Sequence, residues 1–189
     1  MPSWKKLVWI FVITWIALKI IMAKMVPLET NLAIGVCVNI LFILLLAVAG
    51  ARSKMKDKYK QDLDAMECIQ ASIRPALIYS LLATIAIGLY YHVISKEEVQ
   101  SKIEERMELV KQDVPNETTF EEFKSTEPRL YGISYDEYLE NEKVNAEFIF
   151  SPTVHVTFAL IALVLASILY GIMVSLIWRT FMTHQRIES

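Results

Sequence analysis

The stretch LAIGVCVNILFILLLAVAG, residues 32–50, contains no Asp, Glu, Lys or Arg. A helix needs about 20 mostly apolar residues to cross the hydrocarbon core of a bilayer. This stretch therefore predicts a transmembrane helix and places the chain among the integral membrane proteins.

Three further stretches, residues 7–23, 75–94 and 154–178, share this apolar character. Only the first contains a charge, Lys19, and a lysine near the end of a span can extend its ammonium to the lipid headgroups. A signal peptide is the competing interpretation, but Met22-Ala23-Lys24 is a poor cleavage site. The third span is predicted to begin at Pro75, because proline favours the first helical position. The fold class is therefore all-α, a polytopic membrane protein with four transmembrane helices.

The positions of Lys and Arg predict the orientation, because cytoplasmic loops are enriched in both. The loop at residues 51–74 is strongly basic, whereas residues 96–151 hold fifteen acidic and seven basic residues. Both termini are therefore expected in the cytoplasm. The predicted cytoplasmic charges are Lys5, Lys6, Arg52, Lys54, Lys56, Lys58, Lys60, Arg74, Arg179 and Arg186.

Residues 96–151 predict a small helical acidic cap between helices three and four. A Ser or Thr followed three residues later by Glu can begin a helix as a capping box. The chain thus divides into residues 1–95 with three spans, the extracytoplasmic cap, and residues 152–189 with span four and a short tail. The predicted capping boxes are Ser95 with Glu98, Thr119 with Glu122, and Ser134 with Glu137.

Small residues at four-residue steps let membrane helices approach closely. Such steps occur in the third and fourth spans, which are therefore predicted to pack against each other. Span one is bulky throughout and is predicted to face lipid. The predicted helix-packing residues are Ser80, Thr84 and Gly88 on span three, with Ser167, Gly171 and Ser175 on span four.

No nucleotide-binding, hydrolase or metalloprotease motif is present in the sequence. We therefore expect no enzyme activity, no cofactor and no nucleic-acid partner. His92 and His155 lie at neighbouring ends of spans three and four. They are candidates for a metal or pH-sensing site, with Glu97, Glu98 or Glu147 as a third ligand. The alternative is that both histidines are structural.

The layout resembles an uncharacterised bacterial family of four-helix membrane proteins, known as domain of unknown function 4199. The resemblance rests on residues 89–98, LYYHVISKEE, on residues 146–152, AEFIFSP, and on Leu169-Tyr170-Gly171 with Arg179. It implies a bacterial inner-membrane location and the same topology. The loop at 51–74 lacks the glycine-containing turn and the Ser-Phe pair that this family implies. The family implies no activity and no catalytic residues.

Three functions remain open from the sequence. The first is a non-enzymatic scaffold or accessory subunit that binds a membrane or envelope protein partner. The second is a small transporter or channel formed by a homo-oligomer. The third is the envelope metal or pH sensor that uses His92 and His155. A pore in the second case would need polar side chains from the spans, namely Asn39, Ser80, Thr84, Ser167 and Ser175.

Overall fold

The computed structural model of the protein describes residues 3–57 and 64–187. Lys58 and Lys60 of the predicted basic loop lie outside the described residues, as do the side chains of Lys56 and Arg186. The described residues contain helices and no strand, which confirms the all-α prediction. The α-helices are α1 (Trp4–Ala23), α2 (Leu28–Asp57), α3 (Ala65–Leu89), α4 (Lys96–Asp113), α5 (Glu117–Thr126), α6 (Tyr135–Ile149) and α7 (Pro152–Ile187).

Four of these segments are long and apolar enough to cross a membrane. They confirm the four predicted spans, and the protein is an integral, multi-pass membrane protein. The mean hydropathy of the α2 segment is the highest of the four. This segment contains residues 32–50, from which the membrane class was predicted. The segments are Trp4–Ala23, Thr30–Lys54, Ala65–Ile94 and Pro152–Thr180.

The chain divides into two compact units. The first, which we call the membrane unit, combines Met1–Tyr90 with Val156–Ser189. The second consists of Tyr91–His155, and we call it the cap from here on. A π-helical turn at Tyr90–Ile94 follows α3, and a 3₁₀ turn at Pro128–Leu130 follows α5.

Helix α1 has two different faces. Val8, Val12 and Trp15 are buried at three- and four-residue steps, so one face packs inside the membrane unit. The opposite face carries exposed apolar side chains such as Trp9 and Ile13. The prediction that this helix only faces lipid is therefore wrong for its inner face, where Phe11 also stacks on Phe42 of α2.

Pro75 lies inside α3, and the prediction that it begins the helix is wrong. Residues 65–74 continue the same helix and bury Cys68 and Ser72 one turn apart. Proline is tolerated inside membrane helices when neighbouring groups satisfy the backbone that it frees. Much of the predicted loop at 51–74 is thus helical, because α2 continues to Asp57 and α3 begins at Ala65.

Gly50 of α2 lies against this proline. A Cβ at Gly50 would overlap the carbonyl oxygen of Ala71 and lie 2.7 Å from Cγ of Pro75. The carbonyl of Ala71 is the group that Pro75, which has no N–H, cannot bond within the helix. Glycine at position 50 therefore lets the α2 backbone approach α3 at this point.

The cap helices begin at partly different residues from those predicted. Ser134 accepts a hydrogen bond from the amide of Glu137, which confirms the third predicted cap. Ser95 precedes α4 but makes no side-chain cap bond. Helix α5 is capped by Asn116, which accepts from the amide of Thr119, so the prediction of Thr119 as the capping residue is wrong. Asn is as effective an N-cap as Ser or Thr and competes for the same turn.

Candidate functional site

The membrane unit buries a lysine among polar and aromatic groups. Lys19 is 2% exposed, so the prediction that its ammonium extends to the headgroups is wrong. Its Nζ donates to the backbone oxygen of Asn31 at 2.9 Å and to the side-chain Oδ1 of Asn31 at 2.7 Å. These charge-assisted bonds replace water around the ammonium, which explains why the side chain turns inward.

Aromatic rings and a glycine complete the surroundings of this ammonium. Its Nζ lies 5.7 Å from the ring centroid of Trp15 and 5.1 Å from that of Tyr90, within cation–π range. The Nδ2 of Asn31 donates to the hydroxyl of Tyr90 at 3.0 Å, which connects α2 to the end of α3. A Cβ at Gly35 would lie 3.0 Å from Nζ, so the glycine leaves room for the lysine. We call Trp15, Lys19, Asn31, Gly35 and Tyr90 the lysine cluster.

A second polar pair joins α2 and α3. The hydroxyl of Tyr79 donates to Oδ1 of Asn39 at 2.6 Å, and both side chains are buried. Asn39 follows Asn31 and Gly35 at four-residue steps, so all three lie on one face of α2. Polar side chains on that face are therefore bonded within the membrane unit.

Helices α3 and α7 meet through small hydroxyl side chains. Ser80 and Ser167 lie 2.7 Å apart between their Oγ atoms, and both also contact the carbonyl oxygen of Leu163. The Oγ of Ser175 lies 2.9 Å from that of Ser72 and 3.0 Å from the carbonyl oxygen of Cys68. The structure thus brings Ser80, Ser167 and Ser175 into the contact between the two helices.

The two predicted packing glycines lie along the same contact. A Cβ at Gly171 would overlap Cγ1 of Ile73 and lie 3.1 Å from its Cα, so the glycine allows a close approach of the backbones. A Cβ at Gly88 would lie 3.4 Å from Cγ2 of Val156, an ordinary contact. The hydroxyl of Thr84 donates to the carbonyl of Ser80 within its own helix.

The cap has its own small aromatic core. Phe120 is fully buried, and its ring centroid lies 5.8 Å from that of Tyr135 and 5.1 Å from that of Tyr138. The hydroxyl of Tyr135 donates to the carbonyl of Val114 at 2.8 Å, which ties α6 to the end of α4. Burial raises the pKa of Tyr138, and the carboxylates of Glu142 and Asp113 raise it further.

A groove of about 480 Å³ opens on the cap beside this core. Its apolar lining includes Phe123 and Val144, which are 40% and 57% exposed. Its charged lining comprises Glu127, Glu142 and Arg129, and Nη2 of Arg129 lies 3.1 Å from Oε2 of Glu127. An apolar floor with acidic groups beside it suits a partner that is both apolar and basic.

The chain matches the family model described as "Protein of unknown function (DUF4199)" over residues 7–180. The chain belongs to this family. The match covers the lysine cluster, the contact between α3 and α7, and the whole cap, so all of these features lie inside the DUF4199 region. No curated protein and no solved structure matched the chain.

The two histidines proposed for the sensor of this DUF4199 chain, His92 and His155, lie in the cap. His92 is exposed on the π-helical turn. His155 is half-buried, its ring centroid lies 5.5 Å from that of Tyr91, and its Nδ1 lies 3.1 Å from the carbonyl oxygen of Ser151. Within residues 3–57 and 64–187, no group of three or more His, Cys, Asp or Glu side chains could hold a metal ion.

Sequence reasoning missed the lysine cluster of this DUF4199 protein. Lys19, Asn31 and Tyr90 lie on three different helices, and no local motif connects them. One indication was available in the sequence. Asn31, Gly35 and Asn39 repeat at four-residue steps in an otherwise apolar helix, and polar residues at membrane depth usually face the interior of a bundle.

Proposed function

We propose that this protein is a membrane-anchored scaffold or accessory subunit without catalytic activity, whose cap binds a basic, partly apolar segment of a membrane or envelope protein. The observation that carries the proposal is the groove on the cap. It combines exposed apolar side chains with glutamates on a segment that is tethered at both ends to membrane-spanning helices.

The charge of the cap supports a basic partner. Residues 91–155 hold fifteen acidic residues against seven basic ones, so at least half of the carboxylates have no basic residue of the cap to pair with one to one. Such an excess of one sign attracts an oppositely charged partner and raises its rate of association. The described lining of the groove adds Glu127 and Glu142 against Arg129 beside Val144 and Phe123, where apolar side chains of the partner would bind.

The orientation expected from the basic residues supports an extracytoplasmic cap. Arg52 and Lys54 lie in the last turns of α2 and Arg74 lies in the first half of α3, whereas the cap joins α3 to α7. With four spans, the connection from α2 to α3 and the cap lie on opposite sides of the membrane. By the positive-inside rule, we place both termini in the cytoplasm, and the family resemblance favours the bacterial inner membrane. A reporter that fluoresces only in the cytoplasm should therefore be active when fused after Ser189.

A transporter or channel formed by a homo-oligomer is supported less well. Such a pore would need the polar side chains of the spans to face a shared channel. Asn39, Ser80 and Ser175 are instead buried and hydrogen-bonded inside a single chain. A sensor that uses His92 and His155 also has less support, because His92 is exposed and His155 packs on Tyr91.

Site-specific photocrosslinking in native membranes tests the proposal. A photoreactive residue at Val144 lies in the groove, and one at Lys111, an exposed position of α4 outside the groove lining, is the matched control. We expect Val144 to capture one heterologous protein in a fixed ratio and Lys111 to capture much less of it. The double substitution Glu127→Lys with Glu142→Lys should abolish this crosslink, because it reverses the charge beside the groove.

Two outcomes would overturn the proposal. Crosslinks from Val144 only to a second copy of the chain would indicate a homo-oligomer and would lead to flux measurements in liposomes. An unchanged heterologous crosslink after both charge reversals would show that the acidic groove does not select the partner.

A further inference from the structure

A cleft of about 660 Å³ lies in the membrane unit where α1 begins, α2 ends and α3 begins. Its polar lining includes Lys54 of α2 together with Arg74 and Glu67 of α3. Its apolar lining includes Trp4 and Ile78. The cleft therefore joins charged groups and apolar side chains at one end of the transmembrane helices.

The walls of this cleft are held by the close approach of α2 and α3. Gly50, Ala71 and Pro75 all line it, and they form the contact in which the glycine lies against the carbonyl of Ala71. A larger side chain at position 50 would push the two helices apart. This contact thus brings together the parts of α2 and α3 that carry Lys54 and Arg74.

The charged groups suit a singly charged phosphate diester. Arg and Lys are the side chains that bind phosphate oxygens best, and Arg can donate two parallel hydrogen bonds. Glu67 offsets one of the two positive charges, which leaves the described lining of the cleft with a net charge of +1. That charge matches a diester, which carries one negative charge, better than a free phosphate monoester, which carries nearly two at neutral pH.

The apolar lining indicates that the diester comes from the membrane. Trp4 lies at the beginning of α1, and tryptophan is enriched at the level of the lipid headgroups. Ile78 follows Arg74 by one helical turn and is 37% exposed, so it continues the cleft along the outer surface of the span. A soluble ligand would gain little from this surface, whereas an acyl chain would pack against it.

The geometry points to a binding site for the headgroup of an anionic phospholipid in this cleft, with Lys54 and Arg74 on the phosphate and Ile78 along an acyl chain. The site belongs to the membrane unit and does not depend on any partner of the cap. Basic clusters next to membrane helices are a recurrent means of binding anionic lipid headgroups.

Native mass spectrometry of the full chain in detergent micelles tests this site. The probes are dioleoylphosphatidylglycerol, which carries one negative charge, and dioleoylphosphatidylcholine, which carries none. We expect the protein to retain the phosphatidylglycerol preferentially. The double substitution Lys54→Gln with Arg74→Gln should weaken retention about tenfold or more, because two charge-assisted contacts are lost.

Arg52→Gln is the matched control, because Arg52 is exposed at the same end of α2 and does not line the cleft. This variant should retain phosphatidylglycerol as the parent does. The single substitution Lys54→Gln changes one half-buried side chain and should give an intermediate loss, which keeps the test informative if the double variant does not fold.

Three results would overturn the inference. The first is equal retention of the anionic lipid by the parent and the double variant. The second is equal retention of phosphatidylcholine and phosphatidylglycerol by the parent, which would remove the role of charge. The third is full displacement of the lipid by glycerol 3-phosphate, which would identify a site for a soluble phosphate compound.

Discussion

The membrane unit and the cap arrange the same kinds of residue in opposite ways. In the membrane unit, Lys19, Asn39 and Ser167 are buried, while Ile13 and Leu169 are exposed. In the cap, Phe120 and Val110 are buried, while most of the charged side chains lie on the surface. The difference follows from the surrounding solvent, since lipid accepts apolar side chains and offers no hydrogen bonds, whereas water does the reverse.

This comparison shows that polar side chains have different structural roles in the two units. Polar groups such as Asn31, Asn39 and Ser80 connect helices of the membrane unit, because lipid offers them no hydrogen bonds. Polar groups in the cap keep its surface solvated, and its ion pairs are mostly short-range contacts such as Lys102 with Glu105 at 2.7 Å. Exposed pairs of this kind contribute at most about 1 kcal/mol. Substitutions inside the membrane unit should therefore have larger effects than comparable ones on the cap.

The largest effect should come from Asn31→Leu. This substitution removes a side-chain acceptor from a buried ammonium, and we expect the free energy of unfolding to fall by about 3 kcal/mol. Lys19→Met removes the charge itself and should cost less. The measurement is denaturant-induced unfolding in detergent micelles, with the exposed neighbouring substitution Thr30→Leu as control.

Combining the two changes sharpens this prediction. The double variant Lys19→Met with Asn31→Leu should be more stable than Asn31→Leu alone, because no buried ammonium then lacks its acceptor. A Lys19→Met variant that is less stable than Asn31→Leu would show that the lysine stabilises the unit mainly through groups other than Asn31.

The next largest effect should come from Gly171→Ala. The added methyl group would overlap Ile73 on α3, and overpacking of this kind costs about 2 kcal/mol. Gly88→Ala is the control on the same contact, because its methyl group would meet Val156 at an ordinary distance of 3.4 Å. Thermal unfolding in detergent should separate the two variants. Equal midpoint temperatures of unfolding for the two variants would contradict the close approach of α3 and α7 at Gly171.

A smaller effect should come from Ser134→Ala in the cap. The hydroxyl accepts the amide of Glu137, and loss of an N-cap costs about 1 kcal/mol. Ser95→Ala is the control, because Ser95 precedes α4 without making a side-chain cap bond. Hydrogen exchange at the first amides of α6 and α4 should show faster exchange only after the change at Ser134. Faster exchange in both variants would mean that Ser95 also caps its helix in solution.

The smallest effect should be a pH dependence from Tyr138. Its pKa is raised by burial and then by Glu142 and Asp113, so the folded cap holds the phenolic proton more tightly than the unfolded chain does. The resulting stabilisation is complete below the ordinary tyrosine pKa of about 10 and is lost as the pH rises above it. Between pH 9 and 11 (about one unit on each side of that pKa), the free energy of unfolding of the cap should therefore fall more steeply with pH in the parent than in Tyr138→Phe. Identical pH profiles would contradict the shift.

The four spans and the all-α class could be predicted from the sequence because hydropathy is a property of whole segments. Single positions were less predictable. Pro75 has the same preference for the first helical turn in any sequence. In this chain it lies inside α3, where Gly50 of α2 packs against it. Lys19 near the end of a span fits snorkelling equally well, and its actual contact with Asn31 lies twelve residues away on another helix.

In the cap, too, single positions were less predictable than whole helices. Ser134 was identified correctly from the glutamate that follows it three residues later. Thr119 was chosen over Asn116, although both can accept a backbone hydrogen bond, and local sequence gives no means of choosing between them. The groove on the cap and the cleft that Lys54 and Arg74 line depend on residues from separate helices, so neither could be predicted from spacing along the chain.

The buried lysine also has a consequence for how the protein enters the membrane. A lysine costs about 2.5–3.5 kcal/mol during insertion by the translocon at the centre of a span and less near its end, so Lys19, one turn from the end of α1, weakens α1 as an insertion signal by itself. Its acceptor Asn31 belongs to the next span, after a link of only Lys24–Pro27. We therefore expect α1 and α2 to leave the translocon together as a hairpin. Residues 1–57 should insert efficiently where residues 1–27 do not, and equal insertion of both fragments would refute this order of biogenesis.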